Sequence, residues 1–544
     1  MSALDFVKFL SAHLGKKKKL VIGSGAINGI SMIALMYSLS IGLKGLTQTG
    51  EISIRGLMLF LCSWVVFYIS QLIAVKTSSN AAYSALEEME LRLIDKLRRV
   101  DYSAFKTVSS ADIYAVIGGD KNAVITAARF VASAVSAVVT IVFSLIYLST
   151  VSVAAVVLIL LEYGLITFIF HLYNVSMAKR FEADTQASGS FSQSLRNIID
   201  GFAEVKMNNI KSEAIYNNSI KPASFRKTES YKTTEISWVK LLVANNAAIF
   251  IPLGLIVFIL PVLSAANVQS VVEIMTIILI IMGPAGMLTT FISNAAMANN
   301  TLLRMESVEK QLDEAVNKEE EGDLSMPPQT PEFSVLAMNE LRFAYSEEGG
   351  KTGFSLYIEN FRLEKGELLI IKGGNGSGKS TFLRVLAGLF LPKNGDIMLG
   401  DIRVSSLKGS DYRSLFSIVF SDFHLFDDFY GLNIDKQILH YWAGKLEITD
   451  VIRNYEQSHE LPSALSSGQR KRMALLAAIL EDRKIMLLDE VAADFDPEFR
   501  TKYYREIIPE LKTAGRTLIL VSHDDRYFDV ADRVVEFREG IIVS

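Results

Sequence analysis

The chain has 544 residues, half of them hydrophobic and only 21% charged, with a mean hydropathy of +0.29. That is long for one domain and too apolar for a soluble one, so membrane spans are expected first. A formal charge of −4 points to no nucleic-acid partner, and the single cysteine, Cys62, excludes an intramolecular disulfide and a cysteine-built metal site.

Residues 1–14 place Phe6, Phe9 and Leu10 at helical spacing, as in a short amphipathic helix on a membrane surface. Lys16 to Lys19 follow, and then an apolar run from Leu20 to Leu43. The run exceeds the ~7–15 residues of a secretory signal core, so it is read as an uncleaved first span. In all, about six spans of helical length fit the first part of the chain. They fall near 20–43, 55–75, 127–149, 152–173, 238–262 and 270–295. Helices are the expected form because they satisfy their backbone hydrogen bonds internally.

Basic residues orient these spans. Segment 76–126 carries seven Lys or Arg and segment 174–237 carries nine, whereas the turns near 150 and 263–269 carry none. Both long connections, the N-terminus and the C-terminal half are therefore expected on the cytoplasmic side. The stretch EEMELRLIDKLRRV reads as helix, so the spans should continue inward as stalks. Polar groups inside spans are costly in lipid and mark candidates for a substrate pathway. Glu162 could meet substrate, carry a proton, or be neutralised at a helix contact; Asn245, Asn246 and Asn294 could line a cavity or bond between helices.

The expected domains are a transmembrane region over 1–316, an acidic then Pro-rich linker over 317–332, and a second domain over 333–544. In that second domain, LLIIK (368–372), IMLLDE (485–490) and TLILVSH (517–523) are buried-strand candidates ending in polar or Gly-rich loops. The fold class expected is an all-α six-helix membrane domain followed by an α/β P-loop domain, with ligand at the strand C-termini.

Gly373, Gly374, Asn375, Gly376, Ser377, Gly378, Lys379 and Ser380 match G-x-x-x-x-G-K-[ST] between a strand and the helical run continuing at Thr381. Glycines let backbone N–H groups turn inward around phosphates, Lys379 reaches the β- and γ-phosphates, and Ser380 offers a hydroxyl to Mg²⁺. Asp489 and Glu490 end the apolar strand IMLL; the first is placed to help hold Mg²⁺ and the second to polarise the attacking water. Leu465-Ser466-Ser467-Gly468-Gln469 precedes another helical run, as an ordinary Ser N-cap or as a phosphate-binding helix start.

Here the sequence resembles the ABC transporters, whose LSGGQ signature it matches with Ser467 at the first glycine. The resemblance implies an adenine-stacking role for Tyr345, a D-loop role for Asp496 and a γ-phosphate contact for His523. It also exposes a departure: Ser421, followed by Asp422, stands where the family has the Q-loop glutamine that touches Mg²⁺. The stretches LSSGQRKRMALLAAILEDRKIMLLDEVAADFDPEFR and SHDDRYF are similar to the branch that exports cyclic peptides and peptide siderophores (the syringomycin and pyoverdine transporters).

That resemblance implies a fused exporter in the cell inner membrane, with ATP and Mg²⁺ as ligands and a peptide-like cargo. It implies a homodimer in which each ATP lies between one chain's P-loop and the partner's signature. A lipid or lipid-linked flippase, or an ATP-gated channel or regulatory membrane protein, would use the same architecture.

Overall fold

The computed structural model describes residues 3–48, 52–105, 110–118, 121–248, 250–258, 268–316, 327–345, 354–462 and 465–543; for some residues inside helices only the backbone is described. The chain divides into two compact units, one of residues 1–91 with 115–306 and one of 92–114 with 307–544.

The first unit is helical. Helix α1 (Ala3–Leu14) is followed by α2 (Lys18–Gln48), α3 (Ile54–Leu97), the short α4 (Tyr102–Phe105) and α5 (Ser110–Ile117), then α6 (Asn122–Val151) and α7 (Val153–Asp200). After two short helices, α8 (Phe202–Met207) and α9 (Asn209–Ile215), come α10 (Lys221–Ala248), α11 (Phe250–Phe258) and α12 (Val268–Ala315). Helix α4, the first part of α5 (through Tyr114) and the ends of α3 and α12 belong to the second unit. In α1, Phe6, Leu10 and Leu14, one helical turn apart, are the buried face.

Among the described residues, four helical stretches are long and apolar enough to cross a membrane: Asp5–Gly42, Ile54–Leu97, Asn122–Val151 and Ile274–Ala315. The expected fourth span begins α7, where most side chains from 163 to 179 lie outside the described residues, as do residues 259–262 of the fifth. Helices α3, α7 and α12 run 44, 48 and 48 residues. At 1.5 Å per residue each exceeds the ~30 Å hydrocarbon core roughly twofold.

Helix α2 packs against α6 through small residues. A Cβ on Gly29 would lie 2.8 Å from the Ser136 carbonyl oxygen, and one on Gly25 would lie 2.9 Å from Val135 Cβ. Between them Asn28 donates to the Phe67 carbonyl (2.9 Å) and Ser70 Oγ (3.3 Å), and accepts from Ser136 Oγ (2.7 Å). One amide thus ties α2, α3 and α6 where no water competes. Gly29→Val should force this crossing apart at a cost of about 1–3 kcal/mol, lowering the unfolding midpoint of the detergent-solubilised protein. Gly23→Ala, which meets open space on the same helix, should not. An equal midpoint for the two variants would refute the close-packing account.

The second unit is built on a ten-stranded sheet of order β5-β4-β1-β2-β10-β9-β3-β8-β7-β6. β1 (Val335–Ala344) pairs antiparallel with β2 (Ser355–Glu364) and β4 (Asn394–Leu399), and β4 with β5 (Ile402–Arg403). β3 (Leu368–Gly373), β6 (Phe416–Val419), β7 (Ile485–Asp489), β8 (Thr517–Val521) and β9 (Arg533–Arg538) run parallel; β10 (Ile541–Ile542) closes the sheet between β9 and β2.

The central parallel strands β3, β7 and β8 carry the buried apolar runs LLII, IMLL and LILV because both faces are covered there. Leu368 and Ile370 of β3 join Met486, Leu488, Leu518 and Leu520 in one core, while Leu369 and Ile371 join Ile485, Leu487, Ile519 and Val521 in the other. The two-residue period of a strand sends alternate side chains to opposite layers. The same parallel register brings the C-terminal ends of β3, β8, β7 and β6 to one edge of the sheet.

Candidate nucleotide site

Four strand ends supply that edge: Gly373 at the end of β3, Ser522 and His523 after β8, Asp489 and Glu490 at β7, and Ser421 just beyond β6. Crossover connections separate them by up to 150 residues in sequence, and the strand order reunites them.

From β3 the chain turns through Gly374 and Asn375 into helix α13 (Lys379–Leu386). Gly376 and Gly378 have φ of +76° and +104°, a region that a Cβ disfavours. A Cβ on Gly378 would also strike the Phe354 ring at 2.5 Å. The loop is braced from behind, where the Gly540 N–H donates to the Ser377 carbonyl at 2.9 Å. Lys379 Nζ curls back to the carbonyls of Gly373 (2.8 Å) and Gly374 (3.0 Å), with Glu490 Oε1 at 3.8 Å and His523 Nε2 at 3.4 Å. Burial holds the Lys379 ammonium below the usual lysine range, although the carboxylates of Glu490 and Asp489 pull the other way.

The Asp489 carboxyl is pushed up by burial, reinforced by the Glu490 charge; hydrogen bonds from the Ser380 and Ser421 hydroxyls oppose that rise. Ser421 Oγ donates to Asp489 Oδ2 at 3.3 Å. Asp489 Oδ1 and Ser377 Oγ are buried with no hydrogen-bond partner among the described residues. An unpaired buried carboxylate oxygen beside two hydroxyls is an all-oxygen donor set that suits Mg²⁺. Asp422 is turned away from it: its carboxylate grips Arg384 of α13 at 2.8 and 2.9 Å, and the guanidinium lies over the Phe420 ring.

Glu490 adopts φ 54°, ψ 35°, a strained conformation for a residue with a side chain. Its Oε1 lies 3.1 Å from His523 Nε2. Tyr345 sits edge-on to Phe343 and Phe390, and its hydroxyl is 3.1 Å from Thr381 Oγ1, at the start of α13. Phe390 also packs against Tyr102 of α4.

Ser466 caps helix α14 (Ser467–Leu480) in a reciprocal box. Its Oγ accepts from the Gln469 N–H (3.2 Å), and Gln469 Oε1 accepts from the Ser466 N–H (3.0 Å). The hydroxyl proton of Ser466 stays available for donation. Exposed Ser467 and half-buried Gly468 form the first turn, where N–H groups at a helix start favour an anion. Asp496 caps the next helix, α15 (Pro497–Lys502), by accepting from Phe499 N at 2.9 Å. That bond, with the Arg472 guanidinium at 2.8 Å, holds the Asp496 carboxyl below its usual range.

Three cations around Glu490–Asp496 were not singled out in the sequence. Lys471 reaches the Glu490 carbonyl, Arg472 reaches Asp496, and Arg500 donates to the carbonyls of Ala493 (3.2 Å) and Phe495 (3.0 Å). The only linear signal was their basic character beside motifs.

The first unit holds the remaining candidates. Both carboxylate oxygens of Glu162 are shielded from solvent and have no hydrogen-bond partner among the described residues. One turn earlier, Ile159 packs with Ile274, Ile277 and Ile281 of α12. Asn294 donates to the Thr290 carbonyl of its own helix at 2.8 Å. The side chains of Asn245 and Asn246 lie outside the described residues.

Comparison with known proteins agrees with this geometry. The ABC transporter family profile matches residues 358–493. The ATP-binding protein SyrD of Pseudomonas syringae pv. syringae is 31% identical over 365 residues, covering 65% of this chain; the chain spans 64% of SyrD's length. The arginine transport ATP-binding protein ArtM of Bacillus subtilis is 33% identical over 196 residues, 34% of this chain and 80% of ArtM. The structure of a bacterial Atm1-family ABC exporter with ATP bound matches in fold with a TM-score of 0.79 at 16% identity, covering 98% of this chain and 95% of that one. The chain belongs to the ABC transporter family, with a helical, transmembrane-like region fused ahead of an ABC ATPase domain.

Proposed function

We propose that the chain is one half of an ATP-driven exporter, hydrolysing ATP at the sheet edge where Lys379, Asp489, Glu490 and His523 converge. The observation that carries this reading is the Glu490–His523–Lys379 cluster, within 3.1 to 3.8 Å, in a chain that also carries its own transmembrane-like helices. In this reading Lys379 exchanges its own-loop carbonyls for the β- and γ-phosphates of ATP. Gly373, Gly374, Asn375, Gly376, Ser377 and Gly378 present backbone N–H groups, and Thr381 lies beside the nucleotide with Tyr345 at the adenine. Ser380 and Asp489, with Ser421 alongside, would hold Mg²⁺, which would supply charge neutralisation for the phosphates. Glu490 accepts a hydrogen bond from the attacking water, and His523 holds that carboxylate and reaches toward the terminal phosphate.

The functional unit in this reading is a homodimer. Ser466, Ser467, Gly468 and Gln469 of one copy close over the nucleotide on its partner, with Asp496 at the junction. Their support is the capped start of α14, which has donors to give. ATP closes the pair and hydrolysis reopens it, the difference lying in γ-phosphate contacts. The bilayer surrounds the helical region, with the ATPase domain and N-terminus cytoplasmic. The cargo proposed is a cyclic peptide, lipopeptide or siderophore precursor, a class consistent with the likeness to SyrD. Glu162, shielded and unpaired, is the proposed cargo or proton contact, with Asn245, Asn246 and Asn294 lining the same pathway.

Reconstitution tests the reading. In inside-out proteoliposomes, ATP should drive uptake of a cyclic lipopeptide, the same peptide should stimulate ATPase activity, and Glu162→Gln should reduce the stimulation with basal turnover unchanged. Stimulation by lipid carriers and not by peptides would replace the cargo assignment with a flippase. Peptide flux unaffected by Glu490→Gln would refute the pump.

A further inference from the structure

The peptide units around Glu490 are held on both sides. Its N–H donates to the Val521 carbonyl of β8 at 3.1 Å. Its carbonyl accepts from the Ala493 N–H at 3.2 Å and from Lys471 Nζ at 3.0 Å. Lys471 comes from the first turns of α14, directly after the signature, and its side chain is only 10% exposed. The same ammonium lies 3.0 Å from Asp494 Oδ2, whose side chain is 45% exposed. A left-handed non-glycine residue costs of order 1–3 kcal/mol and persists only where its surroundings over-determine it. Here the determinant on the carbonyl side is a nearly buried charge, and its charge-assisted bond is roughly twice as strong as a neutral one.

We propose that Lys471 is a positioning residue for hydrolysis: by holding the Glu490 carbonyl it fixes the left-handed backbone that aims the Glu490 carboxylate, and so ties that carboxylate to the helix beginning at Ser466. Lys471 acts through a backbone atom, so it governs the direction of the carboxylate and not nucleotide affinity. Asp494, half-solvated, only shares the ammonium, since exposed pairing contributes little. Arg472, one residue on, secures the far end of the same turn by gripping Asp496 at 2.8 Å and covering the Phe499 ring at 3.6 Å. Consecutive residues of one helix thus hold the two ends of the segment from Glu490 to Asp496.

The inference rests on reading Glu490 as the water-polarising carboxylate, and the experiment separates the two. In the full-length protein, Lys471→Met should lower kcat for ATP between about 10- and 100-fold, the size expected of a misaimed catalytic group, with KM for ATP unchanged. Lys471→Arg should recover most of that loss, because a guanidinium N–H reaches the same carbonyl. Asp494→Asn should keep near-wild-type kcat. If Lys471→Met fails to fold, Lys471→Gln, polar but one bond too short for the carbonyl, carries the test: reduced kcat at unchanged KM supports the proposal. Wild-type kcat in the folded Lys471 variants, with Glu490→Gln inactive, overturns it, as does a loss in Asp494→Asn equal to that in Lys471→Met. Wild-type turnover in Glu490→Gln would instead sink the reading of Glu490 as the water-polarising carboxylate.

Discussion

Glu490→Gln is expected to lower ATP turnover by about 10²–10⁴-fold, the range of a general base removed from its reaction, while leaving ATP binding intact. The amide has the same shape, so the left-handed backbone and the Lys471 contact survive. What disappears is an oxygen charge facing His523 Nε2 at 3.1 Å. An amide accepts a hydrogen bond from water far more weakly than a carboxylate and does not take up its proton. Because binding and hydrolysis separate, the variant should accumulate in the ATP-bound state. Single-turnover hydrolysis together with equilibrium nucleotide binding checks both halves. Turnover within a few-fold of wild type would remove Glu490 from the chemistry and shift the search to other groups at the same strand ends.

Lys379→Met is expected to act on both nucleotide affinity and turnover. The Lys379 ammonium is almost buried and satisfied by its own loop carbonyls, so the proposed phosphate contact would be preorganised. Losing one preorganised charge at the transferring group costs about 10²–10³ in kcat, and ATP affinity should fall with it. The fold itself should tolerate the change. Burial already disfavours the charged ammonium here, and methionine fills similar volume without that penalty. An unfolding midpoint equal to or above wild type, with nucleotide binding lost, is the expected pair of results. A lower midpoint with binding retained would assign Lys379 to structure.

The contrast between the two halves of the site shows what a linear sequence carries. The P-loop was legible because its chemistry is contiguous: Gly376, Gly378, Lys379 and Ser380 act within five residues, and the glycine conformations are local requirements. Asp489, Glu490 and His523 were legible as polar residues ending apolar strands. Their meeting point needed the parallel register that sets β8 between β3 and β7. At the position where the family has its Q-loop glutamine, Ser421 and Asp422 both carry oxygen that can meet a metal. The geometry separates them, with Ser421 on Asp489 and Asp422 taken up by Arg384.

In the helical half, hydropathy located the long helices because a lipid-length apolar run is a one-dimensional property. Glycine spacing in α2 carried no such signal: Gly23, Gly25 and Gly29 look alike in sequence, and only the approach of α6 makes the last two intolerant of a side chain. By itself, then, the amino-acid order determined the class of machine, its division into helical and nucleotide-binding parts, and the residues whose chemistry is local. Tertiary structure alone decided how Lys471, Arg472 and Arg500 converge on the Glu490–Asp496 turn, because such contacts join residues about 20 or more apart or bend a chain back on itself, and no period or spacing records them.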